Sequence, residues 1–247
     1  MTARQRVDQQ PGFVLHSYPY RETSLIVEVF SRDHGRVGLV AKGARRPMSQ
    51  LRGVLMAFQP LLIDWSGGGE MKTLVRAEWM GGQPLLGGQA LLCAYYANEL
   101  LMRLLPREDA HPELHRAYGE ALRALAANES QEVVLRRFEL ALLQELGYGL
   151  CLDTDADGVP VRPDEHYAYI IERGAVALDE YGVSDADPSA VRGKTLLEMA
   201  RGDFREAETL AQSKALMRRL IQHYLGGQVL QSRRVFTELF AFPGDPS

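Results

Sequence analysis

Five short segments rich in β-branched and aromatic residues fill the first 80 positions of this 247-residue chain. They are residues 12–18 (GFVLHSY), 23–31 (TSLIVEVFS), 36–43 (RVGLVAKG), 54–65 (VLMAFQPLLIDW) and 70–79 (EMKTLVRAEW). Residues 33–35 (DHG) predict a tight hairpin turn, and residues 66–69 (SGGG) predict a flexible hairpin tip. Five strands with little helix are the size of a small closed barrel, so we predict an oligonucleotide-binding (OB) fold.

A basic connection joins the third of these segments to the fourth. Between Leu39 and Leu55 it contains four cations and no acid. The four cations are Lys42, Arg45, Arg46 and Arg52. Such side chains can neutralise phosphates and orient a nucleic-acid backbone without reading its sequence. We therefore predict a DNA-binding surface that also includes Arg36 and Lys72, with Arg32 and Arg76 as further additions. The alternative is an ordinary solvated loop.

The charge of the chain is unevenly distributed. Residues 1–80 hold 11 lysines and arginines and 7 acids, whereas the rest of the chain holds 17 and 25. A net charge of +4 beside one of −8 suggests two units that face different partners. OB-folds combine basic grooves with stacking aromatic rings. We place Tyr18 and Tyr20 in the first inter-strand loop and predict Tyr20 as a stacking residue, whereas Phe30 and Phe58 are expected in the core.

The chain changes character at the glycine-rich stretch Met80–Gln89. Beyond it, apolar residues recur at helical spacing, as in residues 112–126 (PELHRAYGEALRALA). Residues 166–179 (HYAYIIERGAVALD) predict a small hairpin within an insertion at about 150–180. We therefore predict an α+β protein, with an amino-terminal five-stranded OB-fold barrel at residues 1–80 and a mainly helical domain at residues 81–247.

Several classes of protein are disfavoured by the sequence. The first ten residues lack an apolar run and are interpreted as a frayed polar tail without a secretory signal. Polar residues interrupt Leu85–Leu105, so this stretch is expected to be a buried helix rather than a membrane span. Cys93 and Cys151 form neither a zinc motif nor a disulfide framework. These three features predict a cytoplasmic, nucleoid-associated protein. No catalytic motif is present, so we predict that it is not an enzyme and needs no cofactor.

Two patterns resemble metal sites only superficially. Residues 153–164 begin like a calcium-binding loop, but Asp164 stands where a bidentate glutamate is usual, and Pro160 and Pro163 interrupt the loop. His111 and His115 have the i, i+4 spacing of zinc ligands, but Pro112 puts His111 at or before the helix start. We predict a solvated acidic turn and no metal site.

A second candidate site lies in residues 133–143 (VVLRRFELALL). Arg136 and Arg137 stand beside Phe138 and Leu142, a mixture that could receive an acidic peptide with apolar residues. The alternative is a buried helix whose arginines lie at the surface, paired with Glu139 or Glu132.

Three stretches together resemble the RecO family of bacterial DNA repair and recombination mediators. They are residues 13–46 (FVLHSYPYRETSLIVEVFSRDHGRVGLVAKGARR), 135–149 (LRRFELALLQELGYG) and 224–236 (YLGGQVLQSRRVF). The resemblance implies an OB-fold followed by a helical domain. It also implies binding of single- and double-stranded DNA, annealing of complementary strands, and loading of RecA with RecR onto strands coated by single-strand-binding protein.

The resemblance changes the interpretation of two segments. Some members carry a four-cysteine zinc module after the L-G-Y-G stretch, where this chain has only Cys151, so zinc is predicted to be absent. Members also bind the acidic, phenylalanine-terminated tail of single-strand-binding protein on the helical domain, which favours the peptide site at Arg136, Arg137, Phe138 and Leu142. A protein-interaction scaffold that uses the barrel without touching DNA remains the alternative.

Overall fold

The computed structural model describes residues 6–178, 190–232, 234 and 235. Its amino-terminal elements are β1 (Arg6–Tyr20), β2 (Ser24–Ser31), β3 (Gly35–Ala41), α1 (Leu51–Val54), β4 (Pro60–Ser66) and β5 (Met71–Trp79). Three longer helices follow: α2 (Gly88–Leu104), α3 (Pro112–Ala126) and α4 (Gln131–Glu145). The remaining elements are β6 (His166–Ile170), β7 (Gly174–Ala177), β8 (Ala190–Arg192), α5 (Gly193–Ala200) and α6 (Ala207–Tyr224). Residues 179–180, at the end of the predicted insertion, lie outside the described residues.

Strands β1 to β5 close into a barrel in the order β1-β2-β3-β5-β4, which confirms the predicted five-stranded OB-like fold. Neighbouring strands are antiparallel except β3 and β5, which run parallel. The turn between β2 and β3 falls at the predicted residues. Gly35 there has φ +62°, and a side chain at this position would collide with the backbone of Asp109.

The prediction of a frayed amino-terminal tail is wrong for residues 6–10. These residues form the start of β1, where Arg6 pairs with Ser66 and Val7 with Trp65 of β4. The backbone N–H of Gln9 also donates to the Asp64 carboxylate at 2.6 Å. Strands pair through their backbone N–H and C=O groups, so a segment of mostly polar side chains can still complete the barrel.

Alternating side chains of the strands fill the barrel, as expected for a period of two residues. The buried cluster comprises Val14, Val27, Val29, Val37, Leu39, Ala41, Ala44, Leu55, Leu61, Ile63, Trp65 and Leu74. Phe30 and Phe58 are also buried, as predicted. However, Phe30 lies on the outer side of the barrel, where it meets α3 rather than the barrel interior.

Helices α2 and α3 cover much of the outer face of β1 and β2. The rings of Phe13 and Phe30 lie 5.1 and 5.3 Å from the ring of His115. Asn98 on α2 donates to the carbonyl of Leu15 at 2.8 Å and accepts a hydrogen bond from Tyr118 of α3. Burial raises the pKa of the Tyr118 phenol. The two helices are therefore held to the barrel by a dry aromatic contact and a buried polar network.

Residues 130–229 form a second unit. In it, α4 and α5 pack against α6, and β6 forms the centre of a three-stranded sheet in the order β7-β6-β8. The predicted hairpin is thus present and gains a third strand. Helix α4 ends at Glu145, and Gly147 follows it with φ +80°, a conformation that favours glycine after a helix.

Among the described residues, proximity of Cα atoms groups 6–129 with 230–232, 234 and 235, and groups 130–178 with 190–229. The domain boundary between residues 80 and 81 stays a prediction. Within the described residues, no helix is both long enough and apolar enough to cross a membrane.

Candidate nucleic-acid interface

The strand directions bring the basic connection and three strand ends to one end of the barrel. Strands β1, β3 and β5 run in the same direction and finish at this end, whereas β2 and β4 begin there. Helix α1 lies in the connection from β3 to β4, so we call this end the α1 end. The turn between β2 and β3 and the loop between β4 and β5 lie at the opposite end.

The basic connection is anchored by small apolar residues that point inward. Ala44 and Leu55 are buried in the barrel core, and Leu51 and Val54 of α1 pack against it. The backbone N–H of Arg45 donates to the carbonyl of Thr23 at 2.9 Å, which ties the connection to the turn between β1 and β2. A fixed backbone therefore presents the intervening charges to solvent.

All four predicted cations of the connection are exposed. They are Lys42, Arg45, Arg46 and Arg52. None of them forms a salt bridge with any residue that the structure describes. The Arg45 guanidinium donates to the carbonyl of Arg21 at 3.3 Å, which is a neutral acceptor and leaves the positive charge uncompensated. The α1 end thus concentrates cations whose charge can act on a ligand.

The turn between β1 and β2 adds a fifth cation, Arg21, which the sequence analysis did not single out. Its guanidinium carbon lies 5.1 Å from the centre of the Tyr20 ring, a cation–π contact. Glu22 is an exposed acid in the same turn. The sequence signal for Arg21 was its place beside Tyr20, but its proximity to Arg45 required the fold.

Tyr18 and Tyr20 lie in strand β1 rather than in a loop, so that part of the prediction is wrong. Tyr18 is exposed and its ring lies 4.3 Å from that of His16, whereas Tyr20 is half-buried. The strand continues because Tyr18 pairs with Ile26 and Tyr20 with Ser24 of β2. The role of Tyr20 as a stacking residue stays a prediction.

Arg36 and Lys72 lie apart from the basic connection, towards the opposite end of the barrel. Arg36 contacts the buried carboxylate of Glu28 at 3.4 Å, and Arg107 contacts the same carboxylate. Lys72, whose side chain is 11 % exposed, pairs with Glu108. These contacts join the barrel to the loop between α2 and α3. Lys72 is compensated by Glu108, whereas Arg36 and Arg107 share the single negative charge of Glu28.

The two additional cations are paired as well. Arg32 contacts Asp33 at 2.9 Å and lowers the pKa of that carboxyl group, and Arg76 contacts Glu78. Contact with a carboxylate therefore distinguishes these cations from those of the basic connection, which have no such contact among the described residues.

The surface that commonly binds ligands in OB-folds is largely covered. That surface is the outer face of strands 2 and 3. Here Glu28 and Phe30 of β2 lie under α3 and the loop before it, and Arg36 of β3 donates to the carbonyl of Leu105 at 3.1 Å. The α1 end, by contrast, exposes the four cations of the basic connection.

The predicted peptide site is mostly interior. Phe138 and Leu142 are buried in the second unit. Arg136 contacts the buried Glu139 at 2.5 Å, as the alternative interpretation anticipated, but it is only 8 % exposed, so the surface position expected for it is wrong. Arg137 is exposed, and its guanidinium donates to the carbonyl of Gly202 at 3.1 Å. The neighbouring Asp203 has a pKa lowered to about 2, chiefly by a hydrogen bond from Arg205.

The two segments that resemble metal sites in sequence form a polar turn and the start of helix α3. The Asp155 carboxylate accepts the backbone N–H groups of Asp157 and Val159, which closes a polar turn. His115 is buried against aromatic rings, and His111 precedes α3 and contacts Asp109 at 3.2 Å. Within the described residues, no three histidines, cysteines or acids are placed to share a metal ion.

Comparison with known proteins gives matches over nearly the whole chain. The family model "Recombination protein O N terminal" matches residues 6–83, and "Recombination protein O C terminal" matches residues 87–234. The chain is 66% identical over 242 residues to the DNA repair protein RecO of Aromatoleum aromaticum, covering 97% of this chain and 99% of that protein. It is 66% identical to the RecO protein of an Azoarcus species and 56% identical to that of Dechloromonas aromatica, with the same shares covered.

Proposed function

Since this chain belongs to the recombination protein O (RecO) family of DNA repair proteins, we propose that it binds and anneals DNA during recombinational repair. In this proposal it binds single- and double-stranded DNA and pairs complementary strands. With RecR it helps to load RecA onto strands coated by single-strand-binding protein. Of these steps, DNA binding at the α1 end of the barrel is the one that can be argued from residues of this chain.

One observation carries the proposal for DNA: four exposed cations without a carboxylate partner among the described residues share one end of the barrel. They hold phosphates by charge alone, so they place no demand on the base sequence. Because phosphate contacts leave the pairing edges of the bases free, two strands held in this way can find each other while their mutual repulsion is screened. Annealing needs no catalytic group.

A strand-annealing assay tests the proposal directly. We expect the protein to speed the pairing of complementary oligonucleotides, both bare and coated with single-strand-binding protein, and to do so less at high salt. A gel-shift measurement at low salt distinguishes the alternative function. A protein-interaction scaffold of the same fold binds no labelled oligonucleotide even at low salt, and that result would remove DNA from the proposal.

The acidic tail of single-strand-binding protein is the second ligand in the proposal. Arg137 is the exposed cation of the site, whereas Arg136 is occupied by Glu139. A pocket for the terminal ring would require Phe138 and Leu142 to become accessible on binding. Arg137 is therefore the residue whose replacement reports on the peptide without disturbing the core.

We expect Arg137→Ala to weaken binding of an acidic, phenylalanine-terminated peptide about fivefold, through loss of one exposed charge-assisted contact. Fluorescence anisotropy of a labelled peptide measures this. Arg116→Ala, which removes an exposed arginine from α3, is the matched control. If both variants weaken peptide binding equally, the loss comes from the change in overall charge rather than from a contact at Arg137. Arg136→Ala should instead lower stability, because it removes a cation that contacts the buried Glu139 carboxylate.

A further inference from the structure

The chain has two tryptophans with opposite environments. Trp65 lies in the barrel core and is 1 % exposed, whereas Trp79, the last residue of β5, is 58 % exposed. Indole rings bury a large apolar area, so a ring left mostly in solvent is a candidate contact surface. The structure leaves this ring without a covering element among the residues that it describes.

The exposed ring is held in place by a buried partner. The indole N–H of Trp79 donates to the side-chain oxygen of Gln59 at 3.1 Å, and Gln59 is 4 % exposed. The strand end is fixed as well, because Trp79 pairs with Leu61 and the N–H of Met80 donates to the carbonyl of Pro60 at 2.9 Å. A ring fixed before binding loses little conformational entropy when a ligand contacts it.

Trp79 lies at the α1 end of the barrel, together with the basic connection. Strand β5 finishes at this end, and α1, which carries Arg52, packs against β5. Val54 at the end of α1 and Gln59, which accepts the hydrogen bond of the indole N–H, are five residues apart. An extended chain bounds their separation at about 18 Å. A strand held by these cations therefore passes within reach of the ring.

We propose that Trp79 stacks on a base of the single strand whose phosphates the basic connection binds. The inference rests on the proposed function. Aromatic stacking does not depend on base identity, because every base has a π-face. It also leaves the pairing edge of the base uncovered, so it is compatible with annealing. Neighbouring Met56 and Met80 are exposed too and would suit a protein partner, but the uncompensated cations at the same end favour a nucleic acid.

The test compares two strands with the same phosphates. One is an oligothymidylate of about 16 nucleotides, the upper end of the site size of an OB-fold, and the other is an abasic strand of equal length. We expect Trp79→Ala to weaken binding of oligothymidylate about tenfold and to leave binding of the abasic strand unchanged. Trp79→Phe, which keeps a ring, should retain most of the affinity. Val75→Ala removes an exposed apolar side chain from the same strand and is the control.

Fluorescence of the wild-type protein gives a second readout, because Trp65 is shielded and Trp79 is not. Oligothymidylate should quench the emission, and the abasic strand should not. If Trp79→Ala weakens binding of both strands equally, or weakens binding of neither, the stacking proposal is overturned while the proposal of DNA binding stands. If Trp79→Ala weakens binding of a protein partner but of neither strand, the exposed ring contacts protein, and the stacking proposal is overturned. If the wild-type protein binds neither strand at low salt, the proposed function fails and stacking fails with it.

Discussion

Replacing the four cations of the basic connection with alanine should remove most of the salt-dependent affinity for single-stranded DNA. The four residues are Lys42, Arg45, Arg46 and Arg52. For single strands, each neutralised phosphate contributes a slope of about −0.7 to a plot of log affinity against log salt, so four contacts give about −3. A slope of that size corresponds to about a 50-fold fall in affinity between about 50 mM and about 200 mM salt. The variant should lack that part of the dependence.

A matched variant separates local contacts from overall charge. Arg32, Arg76, Arg116 and Arg205 are also exposed, but each contacts a carboxylate. Removing these four lowers the net charge by the same amount, yet it should leave the slope almost unchanged. If the two variants change the slope equally, the DNA responds to net charge rather than to the basic connection. Oligonucleotide titrations at several salt concentrations give both slopes.

The barrel could be predicted because its signals are local. β-Branched runs separated by turn residues define the strands, and the glycine at position 35 is required by its positive φ. Five strands of this length favour a small closed barrel. The start of β1 was missed for the converse reason. Residues 6–10 are polar except for Val7, and only their pairing with β4, more than 50 positions away, makes them a strand.

The availability of each cation could not be predicted, because it depends on distant residues. Arg36 and Lys72 look like the other cations in the sequence. In the fold they meet Glu28 and Glu108, and the latter is supplied by the loop between α2 and α3. Periodicity places Arg136 on a helix but does not reveal that Glu139 is buried beside it. Charge in a sequence marks candidates, and compensation in the structure selects among them.

The position of α2 and α3 also redirects the predicted DNA site. An OB-fold considered alone offers the outer face of strands 2 and 3. In this chain Phe30 and Glu28 on that face are buried by the helical pair and the loop that joins it. Within the described part of the chain, the α1 end stays exposed and carries cations without a carboxylate contact, together with Trp79. In the proposed function, the helices therefore cover the outer face of strands 2 and 3 and leave the α1 end as the surface for DNA.

His115 gives this covered surface a pH dependence. Its imidazole is 8 % exposed, lies between Phe13 and Phe30, and has one ring nitrogen, Nε2, without a hydrogen-bond partner in the described part of the chain. Burial, with a smaller contribution from Arg32 that Asp33 opposes, lowers the pKa of His115 from 6.5 to about 4. Burial disfavours the charged imidazolium because it removes the charge from water, so the neutral ring is the preferred form in the folded protein.

The direction of the effect follows from proton binding. Between pH 6.5 and about 4 the unfolded chain protonates this histidine while the folded protein does not, so the free energy of unfolding falls as the pH falls through this window. The loss from His115 alone should be about 2 kcal/mol at about pH 5, and the full stability should be present above about pH 6.5. Urea denaturation followed by circular dichroism at several pH values measures it.

His115→Leu isolates this contribution from that of the carboxylates, which both proteins share. Leucine fills the site without a titratable group, so the variant should keep its stability between about pH 7 and about pH 5 better than the wild-type protein, by about the same 2 kcal/mol. A parallel decline in the two proteins would mean that His115 is already protonated in the folded state. The difference between the two curves, rather than either curve alone, decides whether the contact between α3 and the barrel depends on a neutral imidazole.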